Sequence, residues 1–297
     1  MRYIISWLTW PVLFLTCMFI TGYGFVEDKP VLYFNLAYLF LAVSLLVLER
    51  VMPHEKSWNE DDGQTWANIA HTLLSKGTVQ TLVIFSTAIG LATLVSSVNE
   101  PGHGIWPREF PLWIQVCMGV VLAEFGLYWA HRIAHEWMPL WYFHSVHHSV
   151  TRLWIINTGR FHFIDSVVSI LLGMAILLSL GAPMEVLVWL SAITAFIGML
   201  THCNVEMRFG PISWIFNTPG LHRWHHSRKL EEGNNNYGEN LMIWDQLFGS
   251  YFNPDRRPPV NIGINEYMPP GFLAQLAHPF KKLKKHKSLN LMENSAE

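Results

Sequence analysis

Charge is scarce in this sequence. Lys, Arg, Asp and Glu make up 14% of its 297 residues, against about 25% in an ordinary soluble domain. The deficit accompanies long apolar runs: hydrophobic residues reach 51% and mean hydropathy is +0.23. Such a composition excludes a disordered chain and indicates a membrane protein. The net charge of −2 supplies no basic field for nucleic acid. Cysteine is nearly absent as well. Cys17, Cys117 and Cys203 lie in or beside apolar segments without CxxC spacing, which excludes a disulfide framework or a zinc ribbon. No A-x-A-like cleavage site follows the first apolar run, about 3–25, and Thr16 before Cys17 is a poor match to a lipoprotein site. An uncleaved first span is the expectation.

Apolar segments are what the chain has instead. Val31–Val51, about Thr78–Val98 and Leu112–Ala130 are each long enough for a hydrocarbon core of about 30 Å. Ser166–Leu180 and Met184–Thr201 flank Gly181-Ala182-Pro183 and read as a helical hairpin. Fifteen helical residues reach only about 22 Å, so the first arm starts before Ser166 or the hairpin is re-entrant. The expected fold is an all-α integral membrane bundle of about four long spans plus this hairpin, carrying a cytosolic, helical, His-rich cap. With the N-terminus inside, only Lys29 and Arg108 of the 20 Lys and Arg fall in outside loops, in keeping with the positive-inside rule. Trp7, Trp10, Trp106 and Trp113 sit near expected span ends, as interfacial aromatics do. From about Asp255 the chain turns Pro-rich, then basic, then polar, and reads as a peripheral tail. Residues 1–110, 111–255 and 256–297 are thus membrane helices, His-bearing domain and tail.

Histidine is the excess: 15 copies, nine of them at four places between His131 and His226. His131 and His135 lie four apart, on one helical face. His135-Glu136 begins like the HExxH zinc motif, but Pro139 stands where the second His would be. His144, His147 and His148 form HxxHH, and His222, His225 and His226 repeat it, each followed by Ser. Adjacent His on a helix point about 100° apart, so each HxxHH can serve two ions. His202 stands between them, two residues before Asn204. One zinc site needs four ligands at most; nine imidazoles suggest two metals. His162 is open between a tenth ligand, a partner of Asp165 and a satisfied polar residue. His54, His71, His103, His278 and His286 have no partner spacing. Carboxylates near the clusters are few. Glu124 lies inside a span, where an acid is costly and hence a functional candidate. Asp245 and Glu136 are candidates to accept a ring N–H.

HxxxH, HxxHH, a lone His before Asn, and a second HxxHH resemble the fatty acid hydroxylase/sterol desaturase superfamily of membrane oxygenases. Asn217-Thr-Pro-Gly-Leu-His222, Asn236-Tyr237-Gly238 and Trp244-Asp245 through Phe248-Gly249 add to the likeness, which covers roughly Val116–Tyr251. Among its members the chain is most similar to the bacterial sterol desaturase family proteins. The resemblance implies a di-iron centre held by His131, His135, His144, His147, His148, His202, His222, His225 and His226, with zinc replacing iron in some purified relatives. It implies O2 as co-substrate, a lipid substrate in the membrane, and hydroxylation or desaturation at a C–H bond. It also implies electrons from a ferredoxin- or cytochrome-type reductase, and a bacterial inner-membrane protein with the His boxes and C-terminus cytoplasmic. Some relatives carry a second His four residues after the position of His202. Glu206 stands there, leaving Asn204, Glu206 or a water to complete the set. Glu124, Asp165 and Asp245 are the expected outer partners of the ligands. Arg132, Arg223 and Arg228 flank the boxes, where they would steer an acidic donor or a lipid headgroup. A zinc-dependent membrane hydrolase and a His-rich metal transporter are the competing readings. The first lacks a general-base carboxylate at a motif position other than Glu136; the second would place His along a pore.

Overall fold

A computed structural model of the protein describes residues 1–78 and 104–294, with side chains to 288. The expected span at about Thr78–Val98 lies outside the described residues apart from its first position. Among the described residues the long elements are helices, and strand pairing is limited to isolated bridges such as Pro53 with Val205.

Among the described residues five helices are long and apolar enough to cross a membrane: α1 (Arg2–Val26), α2 (Pro30–Val51), α4 (Leu112–Glu136), α6 (Phe163–Leu180) and α7 (Met184–His202). Between α2 and α4 lies the short α3 (Thr65–Ala70), which continues as a π-turn over His71–Lys76. Helix α2 shows why these segments are apolar all round. Ala37, Leu41 and Leu45 are buried at helical spacing, whereas Leu39, Val43 and Val47 are 60%, 52% and 55% exposed. An apolar outer face suits a lipid surround, which itself requires backbone bonds closed within a helix.

Both arms of the expected hairpin are helices, but they pack against α4 and not along each other. The first arm begins at Phe163, three residues before the expected start, and its 18 residues reach about 27 Å. Gly181 closes it at φ +77°, a left-handed cap that glycine adopts without Cβ strain. Helices α4 and α6 meet at small residues. A Cβ on Gly126 would stand 2.0 Å from the Leu172 carbonyl oxygen, and one on Gly173 2.7 Å from Leu127 Cδ2. Close backbone approach of this kind is how helices pack inside lipid.

Helix α4 runs past its apolar part to carry His131 and His135, then breaks at Trp137 into α5 (Met138–His148). With α8 (Pro219–His225) and α9 (Ile243–Phe248) these form the cap. Pro139 and Pro219 stand in the first turns of α5 and α8, where a missing N–H costs nothing.

Three expectations need correction. Trp10 and Trp106 are buried, and only Trp7 and Trp113 are exposed; Trp10 stacks with Phe14 at 5.1 Å and Trp106 donates to Gln115. The tail is not peripheral, because α10 (Phe272–Asn294) docks on the cap. Gln275 is fully buried and Phe280 packs on Phe143. Arg223 does not face solvent: it is 1% exposed and donates to the Cys203 and Val205 carbonyls.

Candidate metal centre

The nine histidines collect into two adjoining groups. His131, His135, His144, His148 and His225 form one; His147, His202, His222 and His226 form the other. Within each group the ligand atoms all lie within 4.8 Å of one another, and every ring but that of His135 belongs to a buried residue. Helix geometry divides the two HxxHH motifs. His147 and His148, and likewise His225 and His226, turn to opposite groups because neighbours on a helix point about 100° apart. The groups abut where His148 stacks on His226, 4.3 Å between centroids.

Separations inside the groups have the scale of a shared ion. His226 Nε2 lies 3.1 Å from His222 Nε2 and 3.2 Å from His147 Nε2, and His222 Nε2 lies 3.2 Å from His202 Nε2. In the other group His135 and His148 Nε2 are 3.0 Å apart. Two imidazoles bound at 2.0–2.1 Å to one tetrahedral or octahedral ion have nitrogens about 2.9–3.4 Å apart.

The opposite edges of six rings are held by acceptors, whereas the Nδ1 atoms of His222 and His226 have no hydrogen-bond partner among the described residues. His131 Nδ1 donates to the Tyr237 carbonyl (2.7 Å), His225 Nδ1 to Asn235 (2.8 Å), His202 Nδ1 to Gly198 (3.0 Å) and His147 Nδ1 to Arg160 (3.3 Å). His144 Nδ1 donates to Asp165 Oδ2 at 2.9 Å and His135 Nδ1 to Asn234 Oδ1 at 3.2 Å. A carbonyl or carboxylate oxygen can only accept, so in these neutral rings the proton sits on Nδ1 and Nε2 keeps a bare lone pair. The Nε2 atoms of His131, His144 and His225 are buried without any hydrogen-bond partner among the described residues. Buried polar atoms are rarely left so, and a metal ion is the group that fits an inward-facing lone pair among imidazoles. Burial, then the neighbouring imidazoles, hold His147, His148, His222, His225 and His226 well below the ordinary imidazole value. Unprotonated at neutral pH, they are ready to coordinate.

The carboxylates take other places than expected, Asp165 excepted. Asp245 touches no ring. Its oxygens accept from the Tyr237 and Gly238 N–H groups and Ser250 Oγ, all at 2.7 Å, and so fix the loop whose carbonyl holds His131. Burial raises it to about 6 against those lowering bonds. Glu124 likewise braces a loop, accepting from the Glu239 and Asn240 N–H groups and Asn240 Nδ2. Glu136 pairs with Arg132 on the outer face of α4 and not with a ring.

His162 joins neither group. It caps α6 by accepting from the Ile164 N–H and donates to the Leu276 carbonyl, which ties α10 down. Asn204 Oδ1 accepts from Glu55 N–H and its amide donates to the Glu55 carbonyl. Glu206 pairs with Arg2 at 2.7 Å. Neither reaches the four-His group, which draws its fourth imidazole from the second HxxHH instead. The Nδ1 acceptors Tyr237, Asn235, Asn234, Arg160 and Gly198 had no expectation attached. Asn236-Tyr237-Gly238 was the one signal near them: Asn236, at φ +56°, donates to the Leu221 and Phe252 carbonyls.

A fatty acid hydroxylase family model matches residues 116–250, the stretch holding both groups. Across 98% of its length the chain is 51% identical to the ornithine lipid hydroxylase OlsE of Rhizobium tropici, spanning 91% of that protein. The chain belongs to the fatty acid hydroxylase family. As a member it is an integral membrane oxidoreductase, a lipid hydroxylase. More distant relatives include the alkylglycerol monooxygenase of Xenopus tropicalis, 28% identical over 78% of this chain and 50% of that one. A probable Delta(7)-sterol 5(6)-desaturase of Neurospora crassa is 25% identical over 73% of the chain and 60% of that protein. No solved structure matches the chain.

Proposed function

We propose that the chain is a di-iron hydroxylase of an ornithine-containing lipid. The supporting observation is the pair of histidine groups, five and four: among the described residues the Nε2 atoms of His131, His144 and His225 have no partner, and those of His147, His202, His222 and His226 each lie 3.1–3.2 Å from another Nε2 of their group. The substrate follows from the likeness to OlsE. In this reading His131, His135, His144, His148 and His225 hold one iron, and His147, His202, His222 and His226 the other. Two iron ions with open coordination positions supply the O2 activation that an unactivated C–H bond demands and side chains lack.

The chain's own residues do the rest. Asp165 and the Tyr237, Asn235, Gly198 and Arg160 carbonyls fix ring orientation and keep each Nδ1 proton away from the ligand face. Asp245 and Glu124 immobilise the 237–240 loop, and Arg160 locks the end of α5 through the Val146 carbonyl and Asn68. The centre sits where α4 leaves its apolar stretch, so a lipid can enter from between the helices while a soluble reductase docks on the cap. The positive-inside bias supports a bacterial inner-membrane protein with cap and C-terminus in the cytoplasm, where a ferredoxin- or cytochrome-type donor would supply the electrons.

The test is O2 uptake by the iron-loaded protein with a reductant and purified ornithine lipid. Lipid-dependent uptake, with a lipid product heavier by one oxygen, is expected. Equal uptake without lipid, or an unchanged lipid, overturns the reading.

A further inference from the structure

Two charged side chains beside the histidines have no role in holding them. Lys76 ends the π-turn that follows α3. Its Nζ lies 5.0 Å from the Phe161 ring centroid, and Phe161 stacks flat on His147 at 4.1 Å and 13°. One aromatic ring therefore separates the ammonium from the four-His group. Among the described residues no carboxylate lies within ion-pair distance of it; the acids whose field reaches it are Glu239 and Asp165. Asp165 is engaged with His144. Glu239 stands beside the other group, within the field of His144, and its carboxylate has no hydrogen bond among the described residues.

Both backbones are fixed. Glu124 grips the Glu239 N–H, and Thr72 packs against Gly159 so closely that a Cβ there would lie 2.4 Å from Thr72 Oγ1. His71 Nδ1 bonds the Phe161 carbonyl at 3.1 Å, which sets the Phe161 ring beneath Lys76. Both residues are only partly exposed, and burial is the largest influence on the charge of each. An ammonium and a carboxylate at the membrane end of a bundle, kept apart and unpaired, carry a desolvation cost that a purely structural pair would relieve by contact. A ligand carrying both charges relieves it instead.

We propose that Lys76 and Glu239 receive a zwitterionic lipid headgroup beside the metal centre, Lys76 pairing with its carboxylate and Glu239 with its ammonium. An N-acylated ornithine carries one of each, so this assignment rests on the ornithine-lipid reading for its ligand and adds the residues that select it. Phe161 forms the floor between the headgroup and His147. A lipid lacking either charge leaves Lys76 or Glu239 unpaired and binds less well.

The experiment is competition binding to the full chain in detergent micelles. Ornithine lipid competes with its carboxyl methyl ester, and separately with its N-acetylated amine, bound fractions being read by native mass spectrometry. The wild type prefers the zwitterion about tenfold to hundredfold over each analogue, the range for a hydrogen bond between charged groups. Lys76→Met abolishes the preference over the ester alone, Glu239→Gln the preference over the acetylated lipid alone, and Lys76→Arg keeps both. Equal binding of all three lipids by the wild type overturns the proposal without recourse to any variant, and so does a preference that survives both substitutions. Turnover is measured in parallel. A wild type that prefers the zwitterion but never hydroxylates it contradicts the proposed reaction and leaves the headgroup site standing; hydroxylation without preference does the reverse.

Discussion

Asp165 offers a graded test of how the metal groups are held. Its Oδ2 accepts from His144 Nδ1 at 2.9 Å, with both side chains almost wholly buried. Asp165→Asn keeps the shape and leaves an oxygen to accept, but removes the charge. A buried hydrogen bond to a charged group contributes about 1.5–3 kcal/mol and a neutral one about 1. The loss is then about 0.5–2 kcal/mol, or about 2–30-fold in affinity for the ion at the five-His group. Asp165→Leu removes the acceptor and should cost about 10–100-fold, the usual range for a residue that orients a ligand ring. His144 belongs to one group only, so the four-His group should keep its ion. The assay is a chelator titration of iron-loaded protein, with iron per chain counted at each step. The expected curve is biphasic, its first phase shifted to lower chelator in the order wild type, Asn, Leu, and its second unmoved. Curves that overlay the wild type refute the role of Asp165, and a shift of both phases together refutes the division into two groups.

Further outcomes follow from other contacts. Gly126→Ala forces a Cβ to within 2.0 Å of the Leu172 carbonyl and should cost about 1–3 kcal/mol through overpacking; an unchanged Tm in detergent would contradict the tight α4–α6 crossing. Glu49, 3% exposed, accepts from the Ile155 and Asn204 N–H groups at 2.9 Å each. Glu49→Ala strands both donors, at about 1–3 kcal/mol per buried group, and a Tm within error of the wild type would deny the contact. Metal-free protein should weaken in acid. His147, His148, His222, His225 and His226 have depressed folded-state values, so below about pH 6.5 the unfolded chain binds more protons than the folded one. Stability is fully present above that pH and is lost as pH falls; a Tm flat from pH 8 to 5 would show that the rings are not buried as neutral groups. His162→Ala should keep full metal content and lower Tm, since it removes the cap of α6 and the tether to Leu276; loss of iron would place His162 among the ligands.

Much of this was legible in the sequence because periodicity and spacing encode it. Arg2–Val26, Pro30–Val51 and Leu112–Glu136 begin within a residue or so of the apolar runs, and the alternation inside each HxxHH sends its adjacent histidines to different groups. Backbone acceptors are another matter. Nothing in the side chain of Tyr237, Asn235 or Gly198 announces that its carbonyl holds an imidazole, because the carbonyl is common to all residues. Glu124 and Asp245 were identifiable as costly acids, yet their partners are N–H groups of a loop that reaches them only through tertiary packing. The family position taken by Glu206 proved irrelevant to the four-His group, since that residue turns to Arg2 instead. The tail's basic composition concealed Gln275 and Phe280, which seat α10 against Gln64 before α3 and against Phe143 of α5.

Anomalous scattering at the iron edge from crystals of iron-loaded protein bears most directly on the central claim. The account predicts two peaks, one enclosed by His131, His135, His144, His148 and His225 and the other by His147, His202, His222 and His226. A single peak, or peaks outside these rings, would contradict it.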